Sequence, residues 1–192
     1  MKRLFCVLIL LHGIFLLSSC AKNNSDTYFI HACAFEKNGD IYTVYAVSEK
    51  HGENDSEYKL ISESGKSIDK ATKKLKREYA DCYFATSEIY FISDNSYNIL
   101  PEIAKEICAS NTYPSKSAVI FIEENAKDFL SKIKSEDDMK HILKLTRKKS
   151  TNAVKLFSRH LGGKAVMLPS MKSSGTRKYS YAGEKELKPA KE

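Results

Sequence analysis

His31 and Cys33 stand two apart in a β-rich run, the spacing at which an imidazole and a thiol on one strand face can share a metal ion. A metal site needs a third and a fourth ligand, and the spacing supplies neither, so packing of both side chains in a core is the plainer reading. Gly65-Lys66-Ser67 has the ending of a phosphate-binding loop, in which backbone amides and a lysine hold phosphoryl oxygens. The leading glycine of such a loop would fall at position 60, which is Leu60, so no nucleotide is expected. His141 and His160 lie on basic helical stretches without the serine or cysteine and carboxylate that would make a nucleophile with its base, and neither GxSxG nor HExxH occurs. Glu123-Glu124 and Asp137-Asp138 lie where strands give way to helices, and there a carboxylate offsets the helix dipole. The chain therefore reads as no enzyme, with no catalytic residues, no cofactor and no metal. One thiol has a different setting: Cys20 follows Leu17-Ser18-Ser19 at the close of an apolar run.

That run begins with Lys2 and Arg3 and continues from Leu4 to Leu17, interrupted only by His12 and Gly13. Charge, apolar length and small residues at its end make it a signal peptide and not a membrane span. Its ending resembles the lipobox of bacterial lipoproteins, an aliphatic residue and two small ones before a cysteine. The resemblance implies cleavage between Ser19 and Cys20 and a diacylglyceryl group on the Cys20 thiol. A plain secretory signal and a short uncleaved helix are the competing readings. The expected organisation is a signal peptide at 1–19, a polar tether at 20–27, one domain at 28–170 and a disordered basic tail at 171–192. Lipid on Cys20 would hold the domain on the extracytoplasmic face of a membrane.

Removing residues 1–19 from the 192 leaves 173, enough for one domain with a sizeable core. The net charge of +7 falls to +5 when Lys2 and Arg3 leave, with much of the excess late in the chain. A basic surface suits an anionic membrane or cell-wall polymer, although a charge run is most often a solvated face. Nucleic acid is not an expected partner on the exported side. Cys33, Cys82 and Cys108 are odd in number and lack CxxC spacing, so neither a disulfide framework nor a zinc site is indicated, and one disulfide among them stays open.

The elements that would position these residues follow from periodicity. Tyr28 to Phe35 and Ile41 to Val47 read as two strands, with Asn38-Gly39 as the hairpin signal and apolar groups on both faces of the second strand. Tyr58 to Ser62 is a third strand. Ile68, Ala71, Leu75 and Tyr79 make an apolar helical stripe with Lys70, Lys73, Lys74 and Arg77 outside. Tyr83 to Ile92 is strand-like, Leu100 to Ile107 helical with Pro101 in the first turn, and Ala118 to Ile122 a strand. Asn125 caps a helix carrying Ala126, Phe129, Leu130 and Ile133, and Ser135 with Asp138 suggests a capping box on the next. Ala153 to Leu161 is a last helix closed by Gly162-Gly163, before a short strand at Ala165 to Leu168. Alternation of strand and helix gives an α/β (mixed α+β) domain: a partly parallel sheet, flanking helices, and the first hairpin at an edge. Lys172 to Glu192 is expected to be dispensable, because few apolar anchors stand against the ordering entropy of the segment.

This succession resembles the amino-terminal domain of the Ger(x)C family, the lipoprotein subunit of bacterial spore germinant receptors. The likeness is carried by the lipobox cysteine, by Phe35-Glu36-Lys37-Asn38-Gly39-Asp40-Ile41-Tyr42, and by Gly65-Lys66-Ser67-Ile68-Asp69-Lys70-Ala71. It continues in Ile89-Tyr90-Phe91-Ile92, Ala118-Val119-Ile120-Phe121-Ile122, Ala126-Lys127-Asp128-Phe129-Leu130, Ala153-Val154-Lys155-Leu156-Phe157 and Val166-Met167-Leu168-Pro169. The resemblance implies a non-enzymatic subunit at the cell membrane or inner spore membrane, with membrane-embedded germinant receptor subunits as partners. The alternative from another class is a stand-alone lipoprotein that binds a small molecule or an anionic wall polymer.

Overall fold

The computed structural model describes residues 27–51, 56–79, 82–147, 149, 151–173 and 178–189. The signal peptide, Ser19, Cys20 and the tether to Asp26 lie outside the described residues, as do Lys148 and Ser150.

The chain opens with a meander of three antiparallel strands, β1 (Thr27–Asn38), β2 (Ile41–His51) and β3 (Ser56–Gly65). Helix α1 (Ile68–Glu78) returns across the sheet to β4 (Cys82–Tyr83), a 3-10 turn at Phe84–Thr86 and β5 (Ile89–Ile92). The expected single strand from Tyr83 to Ile92 is thus two strands separated by a turn. Next come α2 (Asp94–Tyr97), α3 (Leu100–Ala109), β6 (Ala118–Ile122), α4 (Ala126–Leu130) and α5 (Glu136–Thr146). The chain then forms β7 (Thr151–Asn152), α6 (Ala153–Leu161), β8 (Val166–Lys172) and β9 (Ser180–Leu187). These make one nine-stranded mixed sheet of order β3-β2-β1-β5-β6-β8-β9, with β4 beside β1 and β7 beside β6.

Both faces of the sheet are covered, which is why its middle strands read as unbroken apolar runs. On one face α1, α3 and α6 pack Leu75, Ile103, Ile107, Leu156 and Phe157 against Phe35, Tyr90 and Phe121. On the other, α4 and α5 place Phe129, Leu130, Met139 and Ile142 against Ala34, Phe91 and Ile120. Ser67, Asn125, Ser135 and Asn152 each cap the helix that follows. The Asp138 carboxylate reaches the amide of Lys134, one residue before the cap, so the expected capping box is displaced by one position. Helix α4 ends at Leu130, short of the expected Ile133, whose side chain is nonetheless buried.

The structure departs from expectation in four further places. The register pairs Asn38 with Ile41, so the tight turn is Gly39-Asp40, with Gly39 at φ +57°, a conformation glycine adopts at little cost. The first hairpin is not at an edge: β3 takes the edge, and β1 is interior because β5 joins its free side in parallel, Ala32 opposite Ile89. A bulge lies between Ile30 and Ala32, so the face alternation slips by one there. The expected disordered tail is, in its described residues, part of the sheet: β8 runs on to Lys172, and β9 pairs antiparallel with it from Val166 opposite Leu187 to Lys172 opposite Ser180, while residues 174–177 and 190–192 lie outside the described residues. Tyr179 and Leu187 are buried, and Lys178 and Glu184 pair with Asp138 and Lys149. The backbone ladder satisfies the polar groups of the segment and two large anchors flank it, terms that side-chain hydrophobicity alone omits.

Candidate functional site

In parallel α/β sheets, ligand-binding groups gather beyond the carboxyl ends of the strands. Here that edge holds Glu36 from β1, Ser93 and Ser96 after β5, Glu123 and Glu124 after β6, and Ser170 and Ser173 at the end of β8. Glu36 is only 7% exposed. One of its oxygens accepts the Ser93 hydroxyl at 2.9 Å and the Ala126 amide at the start of α4 at 3.1 Å. The Ser96 hydroxyl donates to the Phe35 carbonyl, and the Ser93 amide donates to Ser96 Oγ at 3.1 Å. Burial of a carboxylate is tolerated because charge-assisted bonds replace water.

Glu123 accepts the Ser170 hydroxyl at 3.1 Å. Glu124 accepts the Ser173 amide at 2.7 Å and the Lys132 ammonium at 2.6 Å. Burial by itself would raise the Glu124 pKa, but the bonds from Lys132 and Ser173 outweigh it and hold the carboxyl below its usual value. These glutamates precede α4 and also tie the end of β6 to the end of β8. Asp137 and Asp138 do lie in the first turn of α5, where Asp138 also binds Lys178. Burial would raise the Asp138 pKa as well, and Lys178 with the Lys134 amide brings it below the usual value. The edge is therefore a clamp: its carboxylates engage the chain's own donors and fix the loops after three parallel strands.

The other candidate residues are scattered. The bulge turns His31 to the face of α4 and α5, where its Nε2 lies 2.8 Å from Glu49 and its ring stacks on Tyr58 at 5.2 Å. Cys33 points to the opposite face, fully buried, 3.7 Å from Ser87 Oγ, with its thiol pKa pushed up by burial. The two do not share a face, so the expected pairing of positions fails at the bulge, while Cys33 does pack in the core. Gly65 ends β3 where a Cβ would lie 2.7 Å from the Ala71 amide, and Ser67 Oγ is occupied by the Lys70 amide. That turn is shaped by close packing of strand on helix. His141 is exposed on α5, and His160 is buried on α6, its pKa lowered by desolvation.

An open cleft of about 480 Å³ lies between the start of α1 and α3, lined by Tyr42, Ser67, Asp69, Glu102 and Glu106 among others. Burial first, and then the charge of Asp69, raise the Glu106 pKa, partly offset by Ser110 and by Lys73 and Lys76. Lys37 sits 4.8 Å above the Tyr42 ring at its rim. The cleft offers carboxylates and an aromatic face, and of its two serines Ser67 is engaged in capping α1 while Ser110 Oγ accepts the Thr112 amide. Among the described residues, no three His, Cys, Asp or Glu side chains are grouped to hold a metal, and no helix is long and apolar enough to cross a membrane.

Comparison with family models, with curated proteins and with solved structures found no match. The geometry therefore stands on its own. The Glu36, Ser93 and Ala126 cluster and the contact of His31 with Glu49 and Tyr58 were not foreseen, because their members lie far apart in the chain and carry no local spacing.

Proposed function

We propose that this chain is a lipid-anchored, extracytoplasmic, non-enzymatic subunit that acts through protein contacts at a membrane, in spore germination as its resemblance to Ger(x)C proteins implies. The observation that carries the reading is the sequence Leu17-Ser18-Ser19-Cys20 after a basic and apolar leader, six residues ahead of the strand that opens the domain. An anchor so near a rigid sheet gives the domain a fixed neighbourhood, which suits assembly with integral membrane partners. The polar edge supports the same reading, since its carboxylates are engaged in holding loops. The test is complementation of a gene deletion by wild type and by Cys20→Ala, scored as membrane retention and as the rate at which spores lose refractility in response to germinant. Wild type should restore both and Cys20→Ala neither. Equal retention of the two proteins removes the lipid anchor, and unchanged germination on deletion removes the germination role.

A second reading is favoured by one feature, an exposed shallow hollow on α5 lined by Lys140, Leu143, Lys144 and Arg147. Those cations suit an anionic wall polymer, although Lys140 already pairs with Glu136. Salt-sensitive retention on purified cell walls, lost in Lys144→Glu, is what this reading expects.

A further inference from the structure

The end of the sheet where the described chain begins carries two pairs of aromatic rings, one on each face of β1. Tyr28 and Phe29, in the first residues of β1, are partly exposed. Tyr79, closing α1, meets Tyr28 edge to face at 5.4 Å, and Tyr83 stacks on Phe29 at 5.7 Å. The short strand β4 holds this arrangement by pairing Tyr28 with Cys82 and Phe29 with Tyr83. Tyr83 is 51% exposed, among the most exposed large hydrophobic side chains described. A tyrosine that buries one edge against neighbours and leaves the rest of its ring in water is costly in bulk solvent and well suited to a boundary that is apolar on one side and wet on the other. Lys76 and Arg77 stand in the last turn of α1 immediately before Tyr79, with Glu78 between.

The position of the two pairs relative to the proposed anchor says what covers them. From Cys20 to Thr27 a fully extended chain spans at most about 25 Å, so a lipid on Cys20 confines the start of β1 to the headgroup region and the water just above it. The opposite end of β1, at the Gly39-Asp40 turn, lies about 40 Å further along the strand. The basic end of α1 on the same side suits anionic headgroups. We infer that Tyr28, Phe29, Tyr79 and Tyr83 form a docking surface for the interface of an anionic lipid bilayer, which orients the sheet with the amino end of β1 toward the membrane and its hairpin turn away. This rests on the lipid-anchor reading above. The lipid tether supplies proximity, and the aromatic pairs on both faces of this end of the sheet convert it into one end-on orientation, which leaves the β1–β2 turn and the cleft beside Tyr42 facing away from the bilayer.

The chain has no tryptophan, so a single introduced indole is an unambiguous reporter. The experiment uses the full chain, processed and lipidated in cells, purified and reconstituted into vesicles of phosphatidylethanolamine and phosphatidylglycerol containing phospholipid brominated high on the acyl chain. The Tyr83→Trp variant should float with the vesicles, emit to the blue of its detergent-free unlipidated form, and lose at least half its fluorescence to the bromines. The Ile41→Trp variant, at an exposed site that opens β2 opposite the far end of β1, should float equally and keep its emission. Both positions are exposed, and matching far-ultraviolet dichroism with wild type confirms that each variant is folded. Flotation of both with no difference in quenching overturns the docking surface and leaves the anchor intact. Failure of both to float overturns the anchor and the docking surface with it.

Discussion

The carboxylate of Glu36 on β1 accepts the hydroxyl of Ser93, which follows β5, at 2.9 Å, and the same oxygen accepts the amide of Ala126 at 3.1 Å. A single buried acceptor thus joins two loops and the start of a helix. Glu36→Ala leaves the Ala126 amide without its acceptor and the Ser93 hydroxyl with only Ser96 Oγ, at 3.2 Å; a lost bond and an orphaned buried donor cost about 1–3 kcal/mol each, so a loss of about 3 kcal/mol is expected. Glu36→Gln keeps an acceptor oxygen and should cost about 1 kcal/mol. Urea unfolding of the three proteins decides it; equal losses in both variants would mean that the lost acceptor is not the cause.

The β8–β9 hairpin should be part of the core. Tyr179 is 2% exposed and packs on Phe129 with ring centroids 5.3 Å apart, so Tyr179→Ala should cost about 3–5 kcal/mol, as large aromatic truncations do. Its hydroxyl is buried without a partner among the described residues, so Tyr179→Phe should be neutral or stabilising by about 1 kcal/mol. Deleting residues 173–192 should lower the thermal midpoint at least as far as Tyr179→Ala. A deletion that leaves the midpoint unchanged would return the segment to the status of a dispensable tail.

The contrast between that hairpin and the rest of the fold shows what the sequence could reveal. Local signals sufficed where an element carries its own instructions: the stripe of α1 with Ser67 before it, the apolar runs of β5 and β6, and the caps Asn125 and Ser135. The strand β9 carries almost none, since Ser180–Leu187 is mostly polar and owes its order to pairing with β8, with Glu124 before α4 and Asp138 in the first turn of α5 holding Ser173 and Lys178 ahead of it. The bulge at His31 was equally hidden, because Ile30, Ala32, Cys33 and Ala34 are buried whichever way they face, and so the pattern has no alternation to break. At the carboxyl edge, Glu36 belongs by local sequence only to a hairpin motif, and nothing near it names Ser93 as its partner.

Stability should fall on acidification in two steps. His160 is buried with a pKa below its usual 6.5 because of desolvation. The unfolded chain then takes up a proton near pH 6.5 that the folded chain resists, so stability is full above that pH and declines below it until the folded value is reached. Glu124 and Asp138 have folded values below 4.5 and 3.8, so the stability they contribute is present above those values and lost as pH falls through the lowered ones. The urea midpoint measured from pH 8 to pH 3 should show both declines. His160→Leu should flatten the first and leave the second; a first decline of unchanged size in that variant would assign it to another group.

The three described thiols should differ in reactivity by burial. Cys108 is exposed and should label first with a thiol reagent at pH 8. Cys82 is half-buried with its pKa pushed up to about 12 by burial, and Cys33 is fully buried, so labelling should slow in that order, with Cys33 reacting only as the protein unfolds. Mass spectrometry of partially labelled protein reads the order directly, and early labelling of Cys33 would contradict the packing of β1 against α1 and α3.

The central claim is that the domain is held at a membrane by lipid on Cys20, and the intact mass of protein purified from the membrane fraction tests it most directly. The predicted result is a chain that begins at Cys20, without residues 1–19, carrying a diacylglyceryl group on that thiol, while the Cys20→Ala protein keeps its leader and gains no lipid mass. A mature chain beginning at any other residue, or one beginning at Cys20 with an unmodified thiol, would contradict it.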